Sequence, residues 1–359
     1  MAAIQSIRVP DRIAQILSRE IQTPGKTGRR LDSVRAMAKR FSVSTTTIGQ
    51  VMAILNQQGL IQRRHGSGIY IAERRDSQYV GILSELDITS PGVSFFFPRV
   101  IQQFKRFFDG QNLKAKIYVG EQTSANPVKA PCREFLGDLK EGLLGGLAVL
   151  FAQPDSKWIP LLRKKQIPVI GPPPFSEYEV RSDTEEMIRM GLRFFIEKGR
   201  KRIAVMGWSS GKNWPEKTAF EKLMNDAGLK IHENWLCHDL HHGPANAGME
   251  EFGKLWRSEK EKPDALLVCD DLLFRNAAMS LLSLRINVPE DLLVVSHSNK
   301  GSGIAAPFPV QYLELDPDEY AYACGETLLQ LLNKTPPEKK IRTVPYRWAP
   351  PLSFSNQKS

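Results

Sequence analysis

Four cysteines occur in the chain, and Cys132, Cys237, Cys269 and Cys324 are scattered without CxxC spacing. That spacing indicates neither a disulfide scaffold nor a zinc ribbon, and it fits a reducing compartment. Long apolar runs are also missing. The most apolar stretch, residues 142–152, falls short of the about 20 residues a membrane-spanning helix needs. Residues 1–9 lack the apolar segment of a secretory signal, so a cytoplasmic location is expected. Chemistry-bearing motifs are scarce too. Ser, His and Asp are present without a GxSxG elbow, and the WSSGK at residues 208–212 lacks the spacing of a phosphate loop. No nucleophile-base constellation or cofactor fingerprint stands out, so no enzyme, no catalytic residue and no cofactor is expected.

Acids are the scarcest class in the first fifth. Residues 1–75 hold 13 Lys and Arg against 4 Asp and Glu, whereas the rest of the chain holds 36 against 35. Nearly all of the net charge of +10 therefore sits at one end. Between Glu20 and Glu73 the one acid is Asp32. Such segregation is the footprint of a domain that neutralises phosphates. An anionic membrane would attract it too, but the basic residues surround a compact fold rather than a Trp- or Phe-bearing amphipathic helix.

Within this end, residues 31–72 read as two helices and a tight wing. Ser33 caps a short helix with Val34, Met37, Ala38 and Phe41 on its apolar side. Ser44 then caps a second helix, with Val43 placed to pack on Ile48 as a hydrophobic staple. Ile48, Val51, Met52 and Leu55 recur at helical spacing, so one face is core. The opposite face carries Thr46, Gln50 and Gln57. Short hydroxyl and amide groups without acids suit a major groove, where Gln pairs with adenine and Thr touches phosphate or a thymine methyl. Residues 60–64 and 69–72 read as strands flanking His65, Gly66, Ser67 and Gly68. Pro10 opens an earlier helix with Ile13, Ile16, Leu17 and Ile21 on one face.

Leu31, Ser33, Arg35, Ala38, the Val43-Ser44 turn, Thr46-Thr47, Gly59-Leu60-Ile61, Arg63-Arg64 and the Gly66-x-Gly68 wing together resemble the winged helix-turn-helix of the GntR family of bacterial transcription regulators, over roughly residues 10–72. The family usually has Pro and Glu where this chain has Asp32 and Val34, and Arg where it has Thr45 and Gly49, so base preference does not carry over. The resemblance and the residue pattern give Arg35, Ser44, Thr45, Thr46, Thr47, Gln50, Arg63, Arg64, His65, Gly66, Ser67 and Gly68 as DNA-binding candidates.

After a polar linker at residues 73–78 the pattern changes to alternating strands and helices. Near-continuous apolar strands such as residues 79–83, 147–151, 202–206 and 265–269 argue for parallel sheets covered on both faces. A Gly-Pro-Pro-Pro interruption at residues 171–174 divides them into two α/β series, which leave a cleft at the strand ends. Gly199-Arg-Lys-Arg-Ile-Ala204, Phe220 with Ala227-Gly228-Leu229, Pro263-Asp264-Ala265 with Asp270-Asp271, and Val288-Pro289-Glu290-Asp291-Leu292 resemble, in order and spacing, the effector domain of the LacI/GalR repressors, itself similar to periplasmic sugar-binding proteins.

The expected architecture is thus an α/β protein with an N-terminal winged helix-turn-helix at residues 1–75 and a two-lobed parallel-sheet periplasmic-binding-protein-like domain at 76–359. Lobe 1 is expected at about 79–172 and 302–338, and lobe 2 at about 176–298 and 341–355, with crossings near residues 172–180, near 296–302 and after Asn333. The resemblance implies a homodimer on a pseudo-palindromic double-stranded operator, a repressor role, and a sugar-like effector whose binding closes the cleft and alters the spacing of the heads.

The cleft departs from the family. Glu216 stands where an Arg commonly grips a sugar hydroxyl, and Ser296-His297-Ser298-Asn299 replaces the family's G-[YF]-D-D. Acidic Glu216 and Asp270 suit an amine or a polyhydroxylated ligand. Ser84, Gln153, Asp155, Trp214, Glu216, His242, Asn246, Asp270 and Ser298 are the effector-binding candidates, and Trp208 flanks the same loop. Phe95 to Phe97 and Phe107-Phe108 are expected in the core and between lobes rather than on ligand. Cys237-His238-Asp239-Leu240-His241-His242 has metal-ligand chemistry, but alternation along a strand splits it across two faces, so no metal is expected. Two alternatives stay open: a sugar-binding receptor with no DNA role, and an α/β enzyme.

Overall fold

The structure is a computed structural model that describes residues 9–21, 29–57, 60–64, 68–71, 78–90, 92–122, 132–208, 214, 216–240, 246–258 and 260–350. It divides into two compact units, Met1–Tyr79 with Lys140–Gly145, and Val80–Leu139 with Gly146–Ser359.

The first unit holds α1 (Val9–Ile21), α2 (Val34–Phe41), α3 (Thr45–Gln57), β1 (Ile61–Arg64) and β2 (Gly68–Ile71). Pro10 in the first turn of α1 lacks an N–H that no carbonyl would meet there. The buried face of α1 is Ile13, Ala14, Leu17 and Ile21. Ile16, expected on that face, is 41% exposed, because three residues on from Ile13 it rotates away from the arc that Ala14 completes. In α3, Ile48, Val51, Met52 and Leu55 are fully buried, each contributing about 1.5–3 kcal/mol of apolar burial. With Met37, Ala38, Ile61 and Ile71 they form the core of this unit.

The second unit opens with β3 (Tyr79–Leu86), α4 (Phe96–Gly110), β4 (Ala115–Gln122), α5 (Arg133–Glu141), β5 (Leu144–Phe151), α6 (Ile159–Lys164) and β6 (Val169–Ile170). These strands form a sheet of order β4-β3-β5-β6, in which β3 runs parallel to β4 and β5 to β6. The chain passes through β7 (Glu179–Ser182) into α7 (Thr184–Glu197), β8 (Ile203–Trp208), α8 (Lys217–Asp226), β9 (Leu236–Leu240), α9 (Met249–Ser258), β10 (Ala265–Val268), α10 (Asp271–Ser283), β11 (Leu293–Asn299) and β12 (Gln311–Leu315). It then forms α11 (Pro317–Leu332), β13 (Ile341–Val344) and β14 (Arg347–Trp348). The second sheet has the order β14-β12-β11-β10-β8-β9, and β7 pairs in parallel with β13 as a separate two-stranded sheet.

Side-chain oxygens set the helix starts. Asp183 accepts from the Glu186 amide at 3.2 Å, Asp270 from those of Leu272 and Leu273 at 2.9 Å each, and Asp316 from that of Asp318 at 2.9 Å. The Pro263-Asp264 turn works likewise, the Asp264 carboxylate accepting the Arg202 amide at 2.9 Å where β8 begins.

One crossing differs from expectation. The second passage between lobes comes after Leu315, not near residues 296–302, because β11 runs on to Asn299 and β12 joins the same sheet before α11 returns to pack on α4. The return segment of the first lobe is correspondingly shorter than residues 302–338.

Candidate nucleic-acid interface and ligand cleft

In the first unit, the turn between α2 and α3 is made by Ser42, which adopts the left-handed conformation (φ 53°) and donates its amide to the last carbonyls of α2. Ser44 begins α3 by accepting the Thr47 amide at 3.1 Å. The faces left outward by this packing carry Arg35 and Lys39 on α2, and Ser44, Thr45, Thr46 and Gln50 on α3, all exposed, with Thr47 half-buried. Arg40 is drawn off by an ion pair with Glu20 and stacks over Phe41. The Ser44 and Thr47 hydroxyls meet at 2.9 Å, so these two serve the helix start, whereas Thr45, Thr46 and Gln50 stand clear of the core.

The wing is an antiparallel pair in which Ile61 faces Ile71 and Arg64 faces Gly68. Sequence reasoning missed an antiparallel bridge from Arg30 to its second strand. The Leu31 amide donates to the Ile69 carbonyl and that of Ile71 to the Arg29 carbonyl, both at 2.8 Å, which seats Arg30 against Tyr70. Arg30 lies across Gly68, where a Cβ would come within 2.8 Å of its Nε, and Gly68 has φ +116°. Its positive φ favours glycine there, and any larger residue would also displace the Arg30 guanidinium. The side chains of Arg63 and Arg64, and residues His65, Gly66 and Ser67, lie outside the described residues, as does the side chain of Gln57.

In the second unit, a cleft of about 480 Å³ opens at the carboxyl ends of the strands. Leu86, Gln122 and Phe151 end β3, β4 and β5 on one side. Cys269 and Asp270 follow β10, and His297 and Asn299 end β11, on the other. Ser182, Leu315 and Tyr346 line it from the connecting segments, and Ser94, Phe96 and Phe97 from the entry to α4. Phe96 and Phe97 thus line the cleft, contrary to the expectation for that run, with Phe96 also packed on the core, while Phe107 and Phe108 pack inside.

A polar bridge spans the cleft. Asn299 Nδ2 donates to the Asp271 carboxylate at 2.8 Å and to the Ser94 hydroxyl at 3.1 Å, and Ser94 in turn donates to Asp271 at 3.2 Å. Burial lowers the His297 pKa, against the opposing fields of Asp271 and Asp270, so its imidazole is neutral. Its ring meets that of Tyr346 edge-on at 5.5 Å between centroids. Burial, with Glu216 and Asp270 nearby, raises the Cys269 thiol far above its ordinary range, so it is an inert thiol at neutral pH.

Of the effector candidates, Asp270 lines the cleft. Glu216 stands one residue behind it, accepting from the cleft-lining Thr184 hydroxyl at 2.5 Å. Ser84 is fully buried in β3, and Ser298 is buried with its hydroxyl 3.4 Å from that of Ser302. The Gln153 amide donates to Glu85 at 2.8 Å, Asp155 is exposed, Trp214 packs on Phe220, and Asn246 donates to Glu250 on the surface. None of these six is among the residues lining the cleft. His242 and the side chains of Trp208, His238 and Asp239 lie outside the described residues, and among those described no group of three or more metal-ligating side chains converges. Sequence reasoning missed His297, Asn299 and Gln122. The signal was present for the first two, since a strand carried through to Asn299 places alternate residues on one face.

Residues 10–71 match the gntR family of bacterial regulatory proteins, and residues 192–353 match the periplasmic binding protein-like domain. A gntR-type match in the head thus precedes a periplasmic-binding-protein-like match in the body. Its relatives include an uncharacterized HTH-type transcriptional regulator, YkvZ, of Bacillus subtilis (strain 168), 25% identical over 159 residues, which are 44% of this chain and 48% of that protein. Another is the HTH-type transcriptional repressor PurR of Pasteurella multocida (strain Pm70), 26% identical over 31% of this chain and 33% of the repressor. The chain thus spans about half or less of these relatives. The body resembles a putative LacI transcriptional regulator from Bacillus cereus subsp. cytotoxis NVH 391-98, with a TM-score of 0.63 at 18% identity over 77% of this chain and 97% of that one. The chain also resembles the transcriptional regulator CelR in complex with cellobiose, with a TM-score of 0.63 at 16% identity over 89% of this chain and 99% of that one. These likenesses establish the two-lobed fold of the body. No helix among the described residues is long and apolar enough to cross a membrane.

Proposed function

We propose that the gntR-type head reads double-stranded DNA and that the body carries a small-molecule effector in its cleft, making the chain a sequence-specific transcription regulator, a repressor, rather than an enzyme. The observation that carries this is the acid-free exposed face of α3, with Thr45, Thr46 and Gln50 beside Arg35 of α2. Gln and Thr at these positions have the donors, acceptors and methyl that read base edges, while Arg35 and the wing supply phosphate contacts. The similarity of residues 10–71 to gntR-family regulators supports the same reading. A cytoplasmic homodimer on a pseudo-palindromic operator belongs to it, since two heads on two half-sites double the interface with DNA. The effector acts by binding the DNA-competent and DNA-free arrangements unequally, with a coupling of about 1–3 kcal/mol.

The test is binding of the purified chain to its own upstream intergenic DNA and to scrambled DNA of equal length, across a salt series. Specific binding with a steep salt dependence is expected. Arg35→Ala should flatten the slope of log K against log salt by about 0.9 for each phosphate no longer neutralised. Gln50→Ala should cost about 1–3 kcal/mol on the specific DNA and little on the scrambled one. Absence of binding to either DNA at low salt would overturn the reading.

A further inference from the structure

The cleft that the proposed function assigns to an effector has a definite chemical character. None of the described residues lining it is Lys or Arg. Asp270 lines it, and Asp271 beside it is 1% exposed, its carboxylate met by the neutral donors of Asn299 and Ser94. Glu216 lies one hydrogen bond behind, through Thr184.

A second observation is independent of these acids. Asn299 is 3% exposed, and because its Nδ2 must face the Asp271 carboxylate, the orientation of its amide is fixed. Its Oδ1 meets no donor among the described residues. Across the cleft Gln122, 9% exposed, has an Oε1 that likewise meets no donor among the described residues. Buried acceptors without donors are costly, and a ligand rich in N–H groups satisfies them. The remaining wall is aromatic, with Phe96, Phe97 and Phe151. Aromatic side chains beside carboxylates and unfilled acceptors, with no Lys or Arg among the described lining residues, match a positively charged ligand.

We propose that the cleft binds an organic cation, a protonated amine on an apolar or aromatic body, with Asp270 as counter-ion and the Asn299 and Gln122 carbonyls accepting its N–H groups. A carboxylate or phosphate ligand would find no Lys or Arg among the described lining residues and would be repelled by Asp270. This rests on the cleft being the effector site but not on the identity of any operator.

The experiment is isothermal titration of the full chain at pH 7.5 with phenethylammonium, cyclohexylammonium and butylammonium, each against its alcohol counterpart, and with phenylacetate, glucose and cellobiose. At least one ammonium ion should bind about tenfold or more tighter than its neutral isostere. Asp270→Asn keeps an oxygen to cap α10 and should erase that preference while leaving the fold intact by circular dichroism. Equal affinity for ammonium and alcohol, preference for phenylacetate or a sugar, or no binding of any ammonium ion would each overturn the proposal. DNA binding measured on the same preparation separates the two claims: intact operator binding with a sugar-selective cleft overturns this inference alone, whereas loss of all DNA binding overturns the regulator reading.

Discussion

Asn299→Asp converts the polar bridge across the cleft into a pair of carboxylates. In the native chain Asn299 Nδ2 lies 2.8 Å from Asp271 Oδ2, and both residues are buried. Two like charges at that separation repel by roughly 5–6 kcal/mol at an effective dielectric of about 20. One carboxyl escapes by holding its proton, which at pH 7.5 costs about 5 kcal/mol relative to a free aspartate of pKa about 3.9. The destabilisation at pH 7.5 is therefore about 4–5 kcal/mol. The sign of its pH dependence follows, because the folded pKa of the pair is raised. The penalty is complete above that raised value and absent below about 3.9, so at pH 5 it should shrink to about 1.5 kcal/mol. Urea unfolding followed by tryptophan fluorescence, variant against wild type at both pH values, measures the difference directly. A variant as stable as wild type at pH 7.5, or equally destabilised at both values, would refute the geometry of the Asn299–Asp271 contact.

Two further expectations concern single residues. Gly49 lies in α3 with open space where a Cβ would stand, so Gly49→Ala should stabilise the head by about 0.5–1 kcal/mol, read as a raised melting midpoint; a lowered midpoint would mean that space is filled. His297 is held neutral by burial, its folded pKa below the unfolded value, so the stability it permits is present above about pH 6.5 and is lost at up to about 1.4 kcal/mol per unit as pH falls further. His297→Gln should flatten that part of the stability profile, and a profile no flatter than that of wild type would exclude this group as its source.

How much of the molecule is legible in the sequence varies with the kind of signal each element carries. β5 and β10 are apolar throughout, and Asp183 announces α7 by a cap, so local sequence is enough. β7 and β13, Glu-Val-Arg-Ser and Ile-Arg-Thr-Val, are short and mostly unburied, and they exist because they pair with each other from distant parts of the chain. No local pattern encodes such a partner. β12 alternates polar and apolar residues as a strand should, but the expected crossing falls before it, at the end of an apolar run that in fact continues through His297 to Asn299. The same misplacement hides part of the cleft. It favours Ser298 over His297 and Asn299, whose parity on the extended strand puts both into the cavity wall. In the head, one turn of helical periodicity assigns Ile16 to the core, where the smaller Ala14 completes the buried arc instead.

The bridge from Arg30 to Tyr70 of the wing ties together parts of the head that are far apart in sequence. A two-stranded ribbon alone is marginally stable in water. Here the ribbon gains a border from residues 29–31, the segment that leads directly into α2. The wing and the helices it accompanies are thereby stitched into one cooperative block. A fragment beginning after Arg30 would keep every residue of α2, α3, β1 and β2 and still lose the hydrogen bond from Ile71 to the Arg29 carbonyl and the guanidinium laid across Gly68. The smallest portable piece of this head therefore starts upstream of the helix-turn-helix itself.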